Sequence, residues 1–369
     1  MVIIAKNIYS CISDKQKKLL IVFFLLTLLS LFFELFGLGL LIPIFSIILS
    51  PDKIELNSHF VFIQKYIPIN DPNLLSLFLI SFLGFIYIIK NFFLYLFNVW
   101  RYNFIYGIRA YVTNELYKKY VSQELKFHNQ KNSSTLITNV SEVSTFTDVI
   151  NQLTILIIEL FLILGIISIL FYFHLVASFL TILLVFSLSY IFYKFNKKKL
   201  NQNGVLRYEQ EKEKIKYLQQ SLGGIAELKV FQVDEFFYKN FKNSSNNVVR
   251  AAKNLELYLS LPRLWFESVA VLAVCFLIVL LISSGLSFLE IIPFISFFAV
   301  SGFKMVPSLN RVLNAIQFIN FYQNSVKKIS DEFLSLKALT IENNRSNERM
   351  KKNDKNISKI IFENINFSY

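Results

Sequence analysis

Six long apolar runs, at roughly 19–49, 74–99, 152–173, 175–193, 264–284 and 287–307, constrain this chain more than any other feature. About 20 helical residues cross a hydrocarbon core of about 30 Å, so an apolar run of about 18 residues or more is a membrane-span candidate. Five runs meet that test and the run 175–193 is borderline. The gaps between the runs alternate in size: short, long, almost none, long, almost none. The long gaps, 100–151 and 194–263, are polar and basic. Tight hairpins are expected at Phe173-His174-Leu175 and around Ser283-Ser284-Gly285.

The position of charge gives the expected sidedness. Formal net charge is +13. Lys6, Lys15, Lys17 and Lys18 precede the first run, the loop 100–151 carries six basic residues, and the loop 194–263 carries fourteen. The segment 50–73 has only Lys53 and Lys65. Basic loops stay on the cytoplasmic side, so both long loops and both termini are expected there. Charge sorted by alternate loops does not suit a nucleic-acid binder, and no nucleic-acid partner is expected. The two cysteines, Cys11 and Cys275, make neither a disulfide framework nor a metal site. His59, His128 and His174 are far apart in sequence, and no metal or nucleophile centre is expected. The stretch after Lys18 is too long for a cleavable leader and lacks a small-residue cleavage site.

Residues 1–18 read as an interfacial helix, with Ile3, Ile4, Ile8 and Ile12 at helical spacing and lysines opposite and following. A six-span domain follows over 19–337. Its first span is longer than a bilayer needs and contains Glu34, Gly37, Gly39 and Pro43. Both long loops keep helical periodicity and contain little Pro or Gly. Spans 2, 3, 4 and 5 are therefore expected to continue as helices. About 20–25 extra residues at 1.5 Å each give a stalk of about 30 Å or more, and each loop turns near its middle. Residues 338–359 are polar and Asn-rich and read as a linker. The last ten, 360–369, are β-prone and read as the first strand of an incomplete domain. The fold class is thus an all-α membrane protein of six helices with long helical extensions, plus one opening strand.

Charged residues inside apolar spans are expensive and face a cavity or a partner. Here they are Glu34, Lys90, Glu159, Arg263, Glu267, Glu290, Lys304 and Arg311. Glu290 sits beside an outer turn, and Arg263 and Arg311 are near enough to span ends to snorkel. Lys90 and Lys304 have apolar residues on both sides. Helix–helix ion pairing and a functional role are both open for Glu159 and Glu267. Lys90, Arg263, Lys304 and Arg311 lining one cavity would favour an anionic substrate such as phosphate or pyrophosphate, with Glu34 beside them. No G-x-x-x-x-G-K-[ST] occurs, so these residues alone are not expected to hydrolyse a nucleotide.

The layout of six spans, long excursions after spans 2 and 4, and a terminal strand resembles the transmembrane half of an ABC exporter. The end, Phe362-Glu363-Asn364-Ile365-Asn366-Phe367-Ser368-Tyr369, looks like the opening strand of that family's ATPase domain. The resemblance implies that Tyr369 stacks on adenine, and that ATP and Mg are bound through an ATPase domain not contained in residues 1–369. Within the exporters the chain is similar to bacterial flippases of lipid-linked oligosaccharides. The stretches that carry this are Phe33-Glu34-Leu35-Phe36 through Pro43-Ile44, Lys126-Phe127 through Glu142-Val143, Pro262-Arg263-Leu264 with Glu267, and Pro307-Ser308-Leu309-Asn310-Arg311. By that likeness Lys90, Arg263, Lys304 and Arg311 handle a lipid pyrophosphate. Lysine stands at 90 and 304 where the family would carry arginine; charge survives that change but bidentate geometry does not. Coupling helices are implied near Lys126–Lys131 and Val230–Phe236, with Phe127 and Phe231 as docking knobs.

The resemblance implies a homodimer in a bacterial inner membrane, in contact with membrane lipids and a lipid-linked substrate and driven by ATPase domains. Two alternatives stay open. The cargo is a peptide or hydrophobic compound, or the chain is a non-catalytic membrane module served by a separate ATPase.

Overall fold

The computed structural model describes residues 2–49, 72–173, 175–283 and 288–352, together with Asn366. Among these residues the chain is entirely helical. Six helices are long: α2 (Asp14–Leu49), α3 (Pro72–Val121), α5 (Ser133–Phe173), α6 (Leu175–Gly223), α8 (Asp234–Ser283) and α9 (Phe288–Lys352). Three are short: α1 (Val2–Cys11), α4 (Leu125–Gln130) and α7 (Ile225–Phe231). At 1.5 Å per residue the 50-residue α3 is about 75 Å long. That is more than twice a hydrocarbon core, so the extension of the spans into a stalk is observed. Among the described residues α2, α3, α5, α6 and α8 are long and apolar enough to cross a membrane. The sixth expected span opens α9, and most of its side chains lie outside the described ones.

Each break between helices has a local cause. A capping box separates α1 from α2. The Gln16 amide donates to Ser13 Oγ at 3.3 Å, and the Ser13 amide donates back to Gln16 Oε1 at 3.0 Å. The turn carrying α4 ends at Asn132, whose side-chain oxygen accepts from the Ser134 amide at 3.0 Å and so caps α5. The second turn begins at Gly223-Gly224. It ends at Gln232, the one non-glycine residue with positive φ among those described, at 52°. That left-handed residue stops α7 and lets Asp234 and Glu235 start α8, where their charge suits the helix N-terminus.

α9 is the central element, packing on α5, α6, α8 and α1, while α6 and α8 form a long antiparallel pair. At span level, Met305 and Leu309 of α9 join Leu162 and Ile166 of α5 and Phe266 of α8. In the stalk, Phe146 of α5, Ile108 of α3 and Ile329 of α9 share a second core. Two glycines permit close approach. A Cβ on Gly204 would sit 1.8 Å from the Phe321 carbonyl oxygen, so α6 and α9 touch backbone to backbone. A Cβ on Gly165 would meet the Leu35 side chain at 2.4 Å, so α5 lies tight against α2.

Three findings bear on these expectations. Much of the apolar face of α1 packs on α9: Ile4 and Ile8, with Ile12 just beyond the helix, are buried in the stalk core, while Ile3 is 75% exposed. Cys11 lies in the same contact, and burial raises its thiol pKa. The second turn falls at Ile225–Phe231, ahead of the expected Val230–Phe236, and Phe236 already belongs to α8. α9 continues to Lys352, so much of the segment 338–359 read as a linker is helical. The strand expected over 360–369, including Tyr369, falls outside the described residues apart from Asn366.

Candidate functional site

One face of α2 carries Phe23, Thr27, Ser30, Glu34 and Gly37, spaced by three and four residues, and the first three are buried. The facing side of α3 carries Tyr87 and Lys90. Lys90 is only 3% exposed. Its ammonium sits 4.4 Å from the centroid of the Tyr87 ring, a cation–π contact that takes the place of a direct carboxylate partner. The Tyr87 hydroxyl donates to the Gly37 carbonyl at 3.2 Å, which locks the ring across α2. Glu34 meets Lys304 of α9 at 3.3 Å, and Lys90 lies within electrostatic reach of both.

Two turns further along α9, about 10.5 Å at 1.5 Å per residue, Arg311 grips Glu159 of α5. Nε approaches Oε1 at 2.5 Å, and Nη2 donates to Oε2 at 3.3 Å. Lys304, Ser308 and Arg311 share one face of α9 through spacings of four and three. The site thus holds three cations, Lys90, Lys304 and Arg311, against two carboxylates, Glu34 and Glu159. Arg263 pairs along its own helix with Glu267 at 3.2 Å, and its side chain is 77% exposed. The structure therefore brings Glu34, Lys90 and Lys304 together, sets Arg311 two turns along on the same face of α9, and pairs Arg263 with Glu267 along α8. Helix–helix ion pairing, one of the two readings left open for Glu159, is observed, with Arg311 as the partner. The part played by Tyr87 was not assigned from the sequence; its one advance signal was its i, i+3 spacing from Lys90.

A second polar system ties the stalk together. Arg207 of α6 pairs with Glu142 of α5, donates to Ser325 Oγ at 3.3 Å and lies 4.9 Å from the Tyr322 ring. Burial raises the Tyr322 pKa, and the Arg207 guanidinium opposes that shift. Tyr208 donates to Asn139 Oδ1 at 2.9 Å, and Asn139 Nδ2 donates to the Tyr120 hydroxyl at 3.1 Å. At the foot of α4, Lys131 holds Glu332 of α9 at 2.6 Å. Phe127 is half-buried against Tyr120 and the stalk core, whereas Phe231 of α7 is 72% exposed.

Long helices apolar enough to span a bilayer, a continuous stalk and short helices at its turns define a multi-pass helical membrane domain. The family model described as the ABC transporter transmembrane region matches residues 20–302. The chain belongs to that family and is the transmembrane domain of an ABC transporter. Such domains generally work with ATPase domains.

Proposed function

We propose that this domain moves an amphipathic phosphate, most simply a lipid-linked saccharide, across the bacterial inner membrane as half of a homodimeric exporter. The observation that carries the reading is the charge balance of one cluster: among the described residues Lys90, Lys304 and Arg311 meet Glu34 and Glu159. Phosphate oxygens accept charge-assisted hydrogen bonds from Lys and Arg more strongly than neutral acceptors do. An arriving phosphate displaces Glu34 from Lys304 or Glu159 from Arg311, and draws on Lys90, which pairs directly with no carboxylate among the described residues. A neutral or cationic cargo would leave the surplus charge uncompensated in a medium where that is costly.

In this reading α4 and α7 face the cytoplasm and receive the closure of two ATPase domains. ATP and Mg are held by those domains. Within residues 1–369 only Tyr369 is assigned a place beside adenine, through its likeness to the opening strand. The residues of this chain bind and orient the phosphate, and the stalk helices transmit the movement.

The test uses the chain together with its ATPase domain in proteoliposomes. Translocation of a fluorescent lipid-pyrophosphate saccharide is expected to fall at least tenfold in Lys304→Ala/Arg311→Ala, with assembly intact. Arg311→Lys should retain part of the activity, because charge persists without the bidentate fork. Normal transport by the double variant would sink the proposal. So would ATPase stimulation by peptides with none by lipid pyrophosphates.

A further inference from the structure

Arg101 is a buried guanidinium that the transport site does not use. It lies on the inward face of α3, in the series Lys90, Phe97, Arg101, Phe104 and Ile108, all buried and spaced to share one side of the helix. The residue is 6% exposed, and its Nε is shielded from solvent without a hydrogen-bond partner. Among the described residues no carboxylate lies within 4.0 Å of it, and its charge meets only the Tyr102 ring, at 4.9 Å. Arg207, which is shielded to a similar degree, meets Glu142. Only Nε is shut off from solvent without a partner, as in Arg207, so the Nη fork of Arg101 is left with no protein anion among the described residues beside a charge that is otherwise buried.

Its depth says which anion. Arg101 follows the apolar run 74–99 by two residues and is flanked by Trp100 and Tyr102. Tyr95 and Tyr106, one to two turns away, are exposed. The neighbouring runs end in the same way, with Tyr190 and Tyr193 on α6 and Trp265 on α8. Trp and Tyr gather where hydrocarbon meets headgroups. At that level phosphate is the abundant anion, and the guanidinium fork suits two of its oxygens.

We propose that Arg101 binds the phosphate of a membrane lipid whose headgroup lies against the inner face of α3 at the bilayer boundary. The site is separate from the Lys90, Lys304 and Arg311 cluster. Along α3, Lys90 and Arg101 are eleven residues apart, or about 17 Å. The proposal does not depend on which cargo that cluster accepts.

The chain supplies its own reporter, because Trp100 and Trp265 are its only tryptophans. Trp265→Phe leaves Trp100, which adjoins Arg101 and stacks on Phe104 at 5.7 Å. The purified Trp265→Phe chain in detergent is titrated with dihexanoyl phosphatidylglycerol, with dihexanoylglycerol, and with inorganic phosphate. Phosphatidylglycerol should give a saturable change in Trp100 fluorescence and a rise in Tm, as a ligand of the folded state does. Dihexanoylglycerol should give neither. Arg101→Met should weaken the apparent affinity at least tenfold, and Arg101→Lys should fall between the two. The Tm of each variant without lipid separates a folding defect from a binding defect. If Arg101→Met fails to fold, the comparison rests on Arg101→Lys. Saturation by inorganic phosphate with the same affinity as the lipid would overturn the headgroup assignment. A response to phosphatidylglycerol that Arg101→Lys and Arg101→Met leave unchanged, or no response at all, would overturn the site.

Discussion

The two short helices that turn the stalk are held in different ways. α4 buries no residue and leaves Leu125 75% exposed, but it is fastened through side chains. Lys131 clasps Glu332, His128 Nε2 lies 3.1 Å from the Tyr120 carbonyl oxygen, and Phe127 packs into the core. α7 is presented. Leu228 is its one buried residue, Val230 and Phe231 are 77% and 72% exposed, and its ion pair, Lys229 with Asp234, is exposed. A turn tied to the stalk moves with the stalk, and a pair of neighbouring exposed apolar side chains such as Val230 and Phe231 suits a docking surface. On the proposed function, inputs received at α4 would be distributed over α3, α5 and α9, and those received at α7 would pass along the α6–α8 pair.

This contrast can be broken at several points. The largest effect is expected at Glu142, whose loss strands the buried Arg207. Glu142→Ala should cost about 3–5 kcal/mol, read as a lower midpoint in detergent unfolding, and a change below about 1 kcal/mol would remove Arg207 from the framework that holds the α4 side. Next is Gly204→Ala, which forces α6 off the Phe321 backbone and should cost about 1–3 kcal/mol through overpacking. Its sharper signature is loosening of the α6–α8 pair, measured as faster hydrogen exchange around 200–208 with residues 133–146 little changed. Third, Lys131→Met opens the clasp of α4. The pair is partly exposed, so about 1 kcal/mol is expected, with faster exchange in 125–131. Unchanged protection there would show that Phe127 alone fastens the turn. The smallest stability effect belongs to Phe231→Ala, within about 0.5 kcal/mol as for other open surface sites. In the complete transporter the same change should uncouple ATP hydrolysis from transport. Full coupling in Phe231→Ala would end the idea that α7 awaits a docking surface.

Much of this architecture was legible in the sequence, because apolar run length and helical periodicity are local properties. They gave the long helices and their extension beyond the bilayer. The second turn was placed five residues late because its position came from the family likeness rather than from local signals. The break signal lay earlier, at Gly223-Gly224. The charge pairings were not legible. Glu34 and Lys304 are 270 residues apart and meet only through packing of α2 on α9, and no local pattern encodes that. Sequence likewise grouped Arg263 with the other basic residues by type, and could not show that it pairs with Glu267 on its own helix.

The one extra cation in the cluster of Lys90, Lys304 and Arg311 with Glu34 and Glu159 is an electrical property as well as a chemical one. A charge carried across the whole membrane potential does work of about 2.3 kcal/mol per 100 mV, and proportionally less for a partial crossing. On the proposed function, a rearrangement of this cluster in the empty domain would carry its extra positive charge through part of that field. A singly charged anion bound beside Lys90 would cancel it. On that reading the loaded and unloaded clusters answer differently to membrane voltage, and the step that resets the empty domain is the one a potential can hasten or hold back.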